Sequence, residues 1–230
     1  MTNKKELIRL ENINLTLDKK LIFENLSLNF FNNGITVVFG PNGSGKTLLT
    51  KVILGLTKID KGAVTLKEKK TTFGYAPQKI TFFRRSVFEN LAYPLNVKKY
   101  KKKIIVNRIE KLLKDFEISE TKKMSARNLS GGISQYISFL RSIVDKPNIL
   151  ILDEPCSNLD NHRKEKIENF LKKNKRKCKI ILITHDLFQA QRLADEIIFI
   201  KSGKVLIRSP KTEFKKKNNN KIKKILDLGL

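Results

Sequence analysis

Near its start the chain alternates. Ile13, Leu15 and Leu17 fall on one face, and Leu26, Leu28 and Phe30 on another, with the charged stretch Asp18-Lys19-Lys20 between them. A period of two on either side of a short polar turn predicts an antiparallel strand pair with one face on a core. "GITVVFG" (Gly34 to Gly40) is a continuous β-branched run, the pattern of a strand buried on both sides. A glycine-rich loop follows, and then Leu48, Leu49, Val52, Ile53 and Leu56 recur at helical spacing. Between Gln78 and Leu129 strand-like runs give way to lysine-rich amphipathic segments such as "KIIVNRIEKLLKDFEI". These predict a mainly helical lobe inserted between two halves of an α/β core. The core resumes at Ile149 with "ILILD" as a strand, a helix from about Arg163, and "KIILITH" as another strand. A helix around Leu187 to Ala194 and the hairpin "EIIFIKSGKVLI" complete it. Strands alternating with helices predict a mostly parallel sheet covered on both faces. There is no internal repeat, and the residues after Pro210 are too few and too polar for another domain.

Composition narrows this picture. At 230 residues, with an apolar fraction of 40% and 14 Phe, the chain has the makings of a folded core. No apolar run approaches the length that spans a bilayer, and "MTNKKELIRLENINL" lacks the apolar centre of a signal peptide. The expectation is a cytosolic chain whose membrane role, if any, comes through a partner. Cys156 and Cys178 lack metal-ligand spacing and read as free thiols in a reduced compartment, Cys156 as a small packing residue. A formal charge of +26 raises nucleic acid or an anionic membrane surface as a partner. Yet only ten of the 48 basic residues are Arg, and the lysines are spread along the whole chain rather than gathered with aromatics on one element. The runs at Lys98 to Lys103, Lys172 to Lys179 and Lys215 to Lys224 therefore read as solvated helix faces and a tail, with contact to lipid head groups or a partner as the second reading.

Two elements carry chemistry. "GPNGSGKT", comprising Gly40, Pro41, Asn42, Gly43, Ser44, Gly45, Lys46 and Thr47, fits G-x-x-x-x-G-K-[ST]. Glycines let the backbone curl so that successive N–H groups face phosphate oxygens, and the helix that follows adds its positive end. Lys46 would neutralise the β- and γ-phosphates, and Thr47 would offer a hydroxyl to Mg²⁺. A buried strand before the loop and an amphipathic helix after it separate this from an ordinary strand-to-helix turn. In "ILILDEP", Asp153 ends a buried strand, where a carboxylate can support the metal; Glu154, one residue on, can polarise the water that attacks a γ-phosphate. Buried strands often end in an acid, so the second element gains its meaning from the first.

With these residues in view, the chain resembles the ATP-binding subunits of ABC transporters over nearly all of its length. Gly40 to Thr47 matches the first nucleotide motif, Gln78 the Q-loop, "LSGG" (Leu129 to Gly132) the signature, Asp153-Glu154 the second nucleotide motif, "SNLD" (Ser157 to Asp160) the D-loop, and His185 in "THD" the switch histidine. The resemblance implies a P-loop NTPase fold: an ABC ATPase core with a mostly parallel sheet, an N-terminal antiparallel β subdomain and an inserted helical subdomain. It implies one domain over 1–230, with 1–78 and 141–210 as core, 79–140 as helical signature subdomain and 211–230 as basic tail. It implies ATP and Mg²⁺ as cofactors. Two subunits, alike or paired, meet head to tail, so that Ser130, Gly131 and Gly132 of one face the γ-phosphate held by the other, with Asp160 nearby. Glu154, His185 and Gln78 are the implied catalytic residues; Thr47, Gln78 and Asp153 are the implied metal ligands. Three positions depart from the usual pattern: Ile133 stands in place of a common Gln, Tyr136 in place of a common Arg, and Leu17 where an aromatic would stack on adenine.

Such a subunit energises a separate transmembrane permease and sits on the inner face of the cell membrane through it. "FFRRSVFENLAYPL" is similar to the matching segment of importers of tungstate and related oxyanions, which would add a periplasmic binding protein as a partner. The rival function is a soluble ABC-type ATPase acting on nucleic acid or ribosomes; the positive charge favours it, and the single uninterrupted cassette opposes it. A third reading, a nucleotide-binding module without turnover, rests on Leu17, Ile133 and Tyr136 alone.

Overall fold

The computed structural model describes residues 5–68 and 70–212. In chain order the elements are β1 (Glu6–Leu17), β2 (Lys20–Phe31), β3 (Ile35–Phe39), α1 (Lys46–Ile53), β4 (Lys61–Leu66), β5 (Phe73–Ala76), α2 (Val87–Val97), α3 (Lys102–Asp115), a 3-10 turn (Ser119–Lys123), α4 (Gly131–Ile143), β6 (Ile149–Asp153), α5 (Asn161–Asn174), β7 (Lys179–Thr184), α6 (Leu187–Leu193), β8 (Glu196–Lys201) and β9 (Lys204–Pro210). They form two compact units. One joins the described residues up to Thr71 with those from Leu171; the other is Thr72–Phe170.

In the first unit β1 and β2 pair antiparallel, and β4, which the alternation did not foretell, adds to the free edge of β1. Asp18 and Lys19 take φ of 47° and 63°. Positive φ at both central residues is the two-residue turn whose twist matches a hairpin. Ile13 and Leu15 on β1 and Leu26, Leu28 and Phe30 on β2 are buried, while Leu17 at the hairpin end is half-buried. In the same unit β3 lies parallel to β7 on one side and to β8 on the other, and β9 closes antiparallel on β8. All five residues of β3 and all six of β7 are buried, as expected of parallel strands covered on both faces.

Lys179 departs from the expected solvated run. It is 4% exposed, and its ammonium donates to Thr36 Oγ1 at 2.7 Å and to the Asn33 carbonyl at 3.3 Å. As the first residue of a fully buried strand it has no route to solvent, so its charge is met by oxygen acceptors instead. Lys172, Lys173, Arg176 and Lys177 of the same run are exposed. The expected basic tail after Pro210 lies, beyond Thr212, outside the described residues.

The second unit is mainly helical around the parallel pair β5–β6. Ser86 starts α2 with a capping box: its hydroxyl accepts from the Glu89 N–H, and the Glu89 carboxylate accepts from the Ser86 N–H at 2.9 Å. This satisfies two orphan donors of the first turn, and the contact with Ser86 holds the Glu89 carboxyl below its usual pKa. Ile105, Ile109 and Leu113, spaced four apart, are the buried stripe of α3. Phe116 is central to an aromatic cluster, with ring centroids 5.6 Å from Tyr136 and 5.9 Å from both Phe139 and Phe170. α5 begins two residues before the expected Arg163 because Asp160 caps it, accepting from the Arg163 N–H at 2.8 Å. No helix among the described residues is long and apolar enough to cross a membrane.

Candidate active site

In the first unit the loop after β3 is shaped by its glycines. Gly45 takes φ 100° as the N-cap of α1, and a Cβ there would stand 2.9 Å from the Phe23 ring. Both the left-handed backbone and the contact exclude a side chain. Gly40 is buried, and its Cβ would fall 2.0 Å from the Ile200 carbonyl. Asn42 and Gly43 are exposed, with nothing within 4 Å of the position a Gly43 Cβ would take, so the mouth of the loop is open. Ser44 is 3% exposed, and its Oγ has no hydrogen-bond partner among the described residues. An orphaned buried hydroxyl in an open backbone cradle is what a phosphate oxygen would satisfy. Lys46 is 7% exposed, and its ammonium donates to the Gly40 and Pro41 carbonyls at 2.7 and 2.8 Å, which keeps the charge at the loop. Thr47 follows on α1, half-buried.

His185 joins this cradle through sheet register. Phe39 on β3 pairs with Thr184 on β7 in parallel, so Gly40 and His185 leave adjacent strands at the same carboxyl end. That end is where ligands bind in open α/β sheets. His185 is exposed, and Asp186 beyond it caps α6 by accepting from the Gln189 N–H at 3.0 Å.

The second unit repeats the device. Ala76 on β5 pairs with Leu152 on β6, so exposed Gln78 and buried Glu154 each lie two residues past that paired rung, at the carboxyl end of neighbouring parallel strands. Asp153 and Glu154 are 2% and 8% exposed. Glu154 takes φ 53°, the left-handed region that side-chain-bearing residues seldom adopt. Ser130 is the N-cap of α4, its hydroxyl accepting from the Ile133 N–H at a long 3.4 Å. Ser130 and Gly131 are exposed, and nothing lies within 4 Å of a Cβ placed at Gly131. Asp160 is exposed beside Arg163, whose backbone N–H, followed by its charge, holds the carboxyl below the usual range.

The three departures sit differently. Leu17 is half-buried at the end of the β1–β2 hairpin, and Ile133 is half-buried in the first turn of α4. Tyr136 is fully buried: its ring meets Phe116 edge-on, its hydroxyl donates to the Phe116 carbonyl at 3.5 Å, and burial pushes the phenol well above its ordinary pKa. It is a core residue of the second unit.

One residue escaped the sequence. Gln135 is buried and ties α4 to Glu154, Ser157 and Asn158. The available signal was its place beside Tyr136 and Ile137, where a polar side chain turned inward needs a partner.

The ABC transporter family profile matches residues 23–157. The chain is 36% identical over 205 residues to the tungstate uptake system ATP-binding protein TupC of Peptoclostridium acidaminophilum, covering 86% of this chain and 96% of that one. It is 33% identical over 203 residues to the molybdate/tungstate import ATP-binding protein WtpC of Methanocaldococcus jannaschii, covering 84% of this chain and 68% of that one. A solved structure of an ATP-binding subunit of an ABC transporter superposes with a TM-score of 0.82 at 20% identity, over 92% of both chains, a likeness of fold. A nucleotide cradle at the carboxyl end of β3, an acidic pair closing β6 and sequence kinship over most of both chains converge on one assignment: the chain belongs to the ABC transporter family, as an ATP-binding subunit that hydrolyses ATP.

Proposed function

We propose that this chain energises an importer, with an oxyanion of the tungstate class as cargo, by closing as a pair of subunits around two ATP molecules. The observation that carries the paired reading is the exposed corner at Ser130 and Gly131: a helix N-terminus with backbone N–H groups and a hydroxyl, and nothing among the described residues within 4 Å of where a Gly131 Cβ would stand. Such a corner is a ready anion site for a phosphate brought by another chain. The cargo class rests on the kinship with a tungstate uptake protein at 96% coverage of its length.

In this reading Gly40 to Thr47 wrap the phosphates, Lys46 offsets their charge and Leu17 touches the base. Thr47, Gln78 and Asp153 would hold Mg²⁺; hard oxygen donors in small number suit that ion, which keeps waters and phosphate oxygens as its remaining ligands. The bound ion would neutralise the triphosphate charge. Glu154 takes the proton of the attacking water, His185 hydrogen-bonds the γ-phosphate, and Ser130, Gly131, Gly132 and Asp160 complete the partner's pocket. Residues 1–78 and 141–210 serve as the nucleotide core and 79–140 as the coupling lobe.

A permease would supply the membrane path and hold the subunit at the inner face, with a periplasmic binding protein delivering the cargo. Its docking surface would be the segment after the Q-loop. There Phe82 is buried, but the Phe83 and Tyr93 rings, 4.6 Å apart, are 45% and 47% exposed beside exposed Arg84 and Arg85. A solvent-exposed pair of rings in tilted contact, flanked by Arg, has the composition of an interface anchor.

Glu154→Gln tests the reading. It should lower ATP turnover by about a hundredfold or more and should accumulate as an ATP-dependent dimer in size exclusion with Mg-ATP. Turnover equal to wild type would remove Glu154 from the chemistry. A variant that stays monomeric in saturating Mg-ATP, alone and with its permease, would end the paired reading.

A further inference from the structure

Gln135 lies in the second turn of α4 and is 6% exposed. Its amide nitrogen donates to the Glu154 carbonyl at 2.5 Å and to Ser157 Oγ at 2.9 Å, while its amide oxygen accepts from the Asn158 N–H at 2.9 Å. A carbonyl at one end and an N–H at the other leave the amide one orientation. One turn earlier, a Cβ on Gly132 would stand 2.8 Å from the Asn158 carbonyl, so the start of α4 and the 154–158 segment approach at backbone distance. The peptide that Gln135 holds belongs to Glu154, whose φ of 53° needs outside support. The Ser157 hydroxyl adds a further donor to the same carbonyl at 3.3 Å.

We infer that Gln135 is a positioning residue for hydrolysis: its amide fixes the backbone of Glu154, and with it the direction of the carboxylate, from the helix whose N-terminus is the Ser130–Gly132 corner. Gln135 lies five residues along the same helix from the cap at Ser130, so the corner and the carboxylate are joined by a single side chain. A shift of α4 when the corner meets a phosphate is passed to Glu154 through two hydrogen bonds and their common acceptor. The inference rests on the reading of Glu154 as the base.

The test compares Gln135→Leu and Gln135→Glu with Glu154→Gln and the double variant Gln135→Leu/Glu154→Gln in steady-state ATPase assays of the full chain. Leu keeps much of the volume and removes all three bonds. Glu keeps the acceptor for the Asn158 N–H and sets an oxygen against the Glu154 carbonyl, so it serves where Leu fails to fold. Thermal midpoints above the assay temperature establish that each variant is folded. Both single variants should lose about tenfold to a hundredfold in kcat while KM for ATP stays within about twofold. In the Glu154→Gln background the Leu change should cost nothing further, because a side chain that acts through Glu154 has nothing left to position. Wild-type kcat in both Gln135 variants, a rise in KM without a fall in kcat, or a full additional loss in the double variant would each overturn the inference while leaving Glu154 in place. Wild-type turnover in Glu154→Gln would instead remove its foundation.

Discussion

Two Ser-Gly corners open two helices of this chain, and they are built in opposite ways. At Gly40–Thr47 the corner is sunk into its unit: Gly40 and Gly45 admit no side chain, Ser44 and Lys46 are buried, and the ammonium is held by the loop's own carbonyls. At Ser130–Gly132 the corner faces outward, with Ser130 and Gly131 exposed and the Ser130 hydroxyl engaged only in a stretched cap among the described residues. The first concentrates N–H groups and a cation where a triphosphate can be held without help. The second offers a helix end and a hydroxyl, and its Leu129–Gly132 motif carries no lysine to match Lys46, so on the proposed reading it does not retain a nucleotide alone. On the proposed reading the contrast separates gripping from completing: affinity would belong to the first corner, and turnover would need both.

Lys46→Ala should give the largest effect. Removing the Lys46 ammonium should reduce nucleotide affinity of the isolated chain by about a hundredfold or more, measured by titration with a fluorescent ATP analogue, and turnover should fall with it. Retained affinity would show that the corner grips by backbone alone.

Gly131→Trp sharpens the contrast from the other side. With open space around the Cβ position and no positive φ at Gly131, the fold should accept the ring. The same titration should then give an affinity within about twofold of wild type, while ATP-driven dimerisation and turnover are lost. A fall in affinity to match Lys46→Ala would mean that the outward corner takes part in the grip of its own chain, and the distinction would collapse.

The sunken corner was legible in the sequence because its function is local: eight consecutive residues set the backbone, and the flanking "ITVVF" and the helix positions Leu49, Val52 and Ile53 set its place. The strand ends were legible for a related reason, since a run such as "ILILD" marks a buried parallel strand wherever its partners lie. What lies around the outward corner was hidden, because it depends on contacts between segments distant in the chain. Gln135 meets Glu154 across 19 residues and Asn158 across 23, and no spacing rule encodes such a pair. Lys179 was misread for the same reason. Its run has the composition of a solvated face, but the strand that begins there buries the last lysine against Thr36 and Asn33, more than 140 residues away in sequence. Tyr136, read as a departure in a nucleotide motif, is explained by Phe116 rather than by anything in the motif itself.

The smallest effect concerns the base, the part of the nucleotide that neither corner holds. Leu17 ends β1 half-buried, paired with Lys20 across the two-residue turn, and the neighbouring Leu21 is 54% exposed. An aliphatic side chain there offers apolar contact without the face-to-face attraction of two ring systems. Leu17→Tyr should add about 1 kcal/mol of stacking, which is roughly fivefold in affinity, and should favour ATP over a pyrimidine triphosphate because the larger base overlaps more of the ring. Titrating ATP and CTP against both forms reads the two effects separately. Tighter binding in the tyrosine variant with kcat unchanged would be uniform binding energy, added equally to ground and transition states, as expected of a contact with the base rather than with the reacting phosphate. No gain for either nucleotide would move the base away from the hairpin and leave the cradle as the sole source of affinity in the first unit.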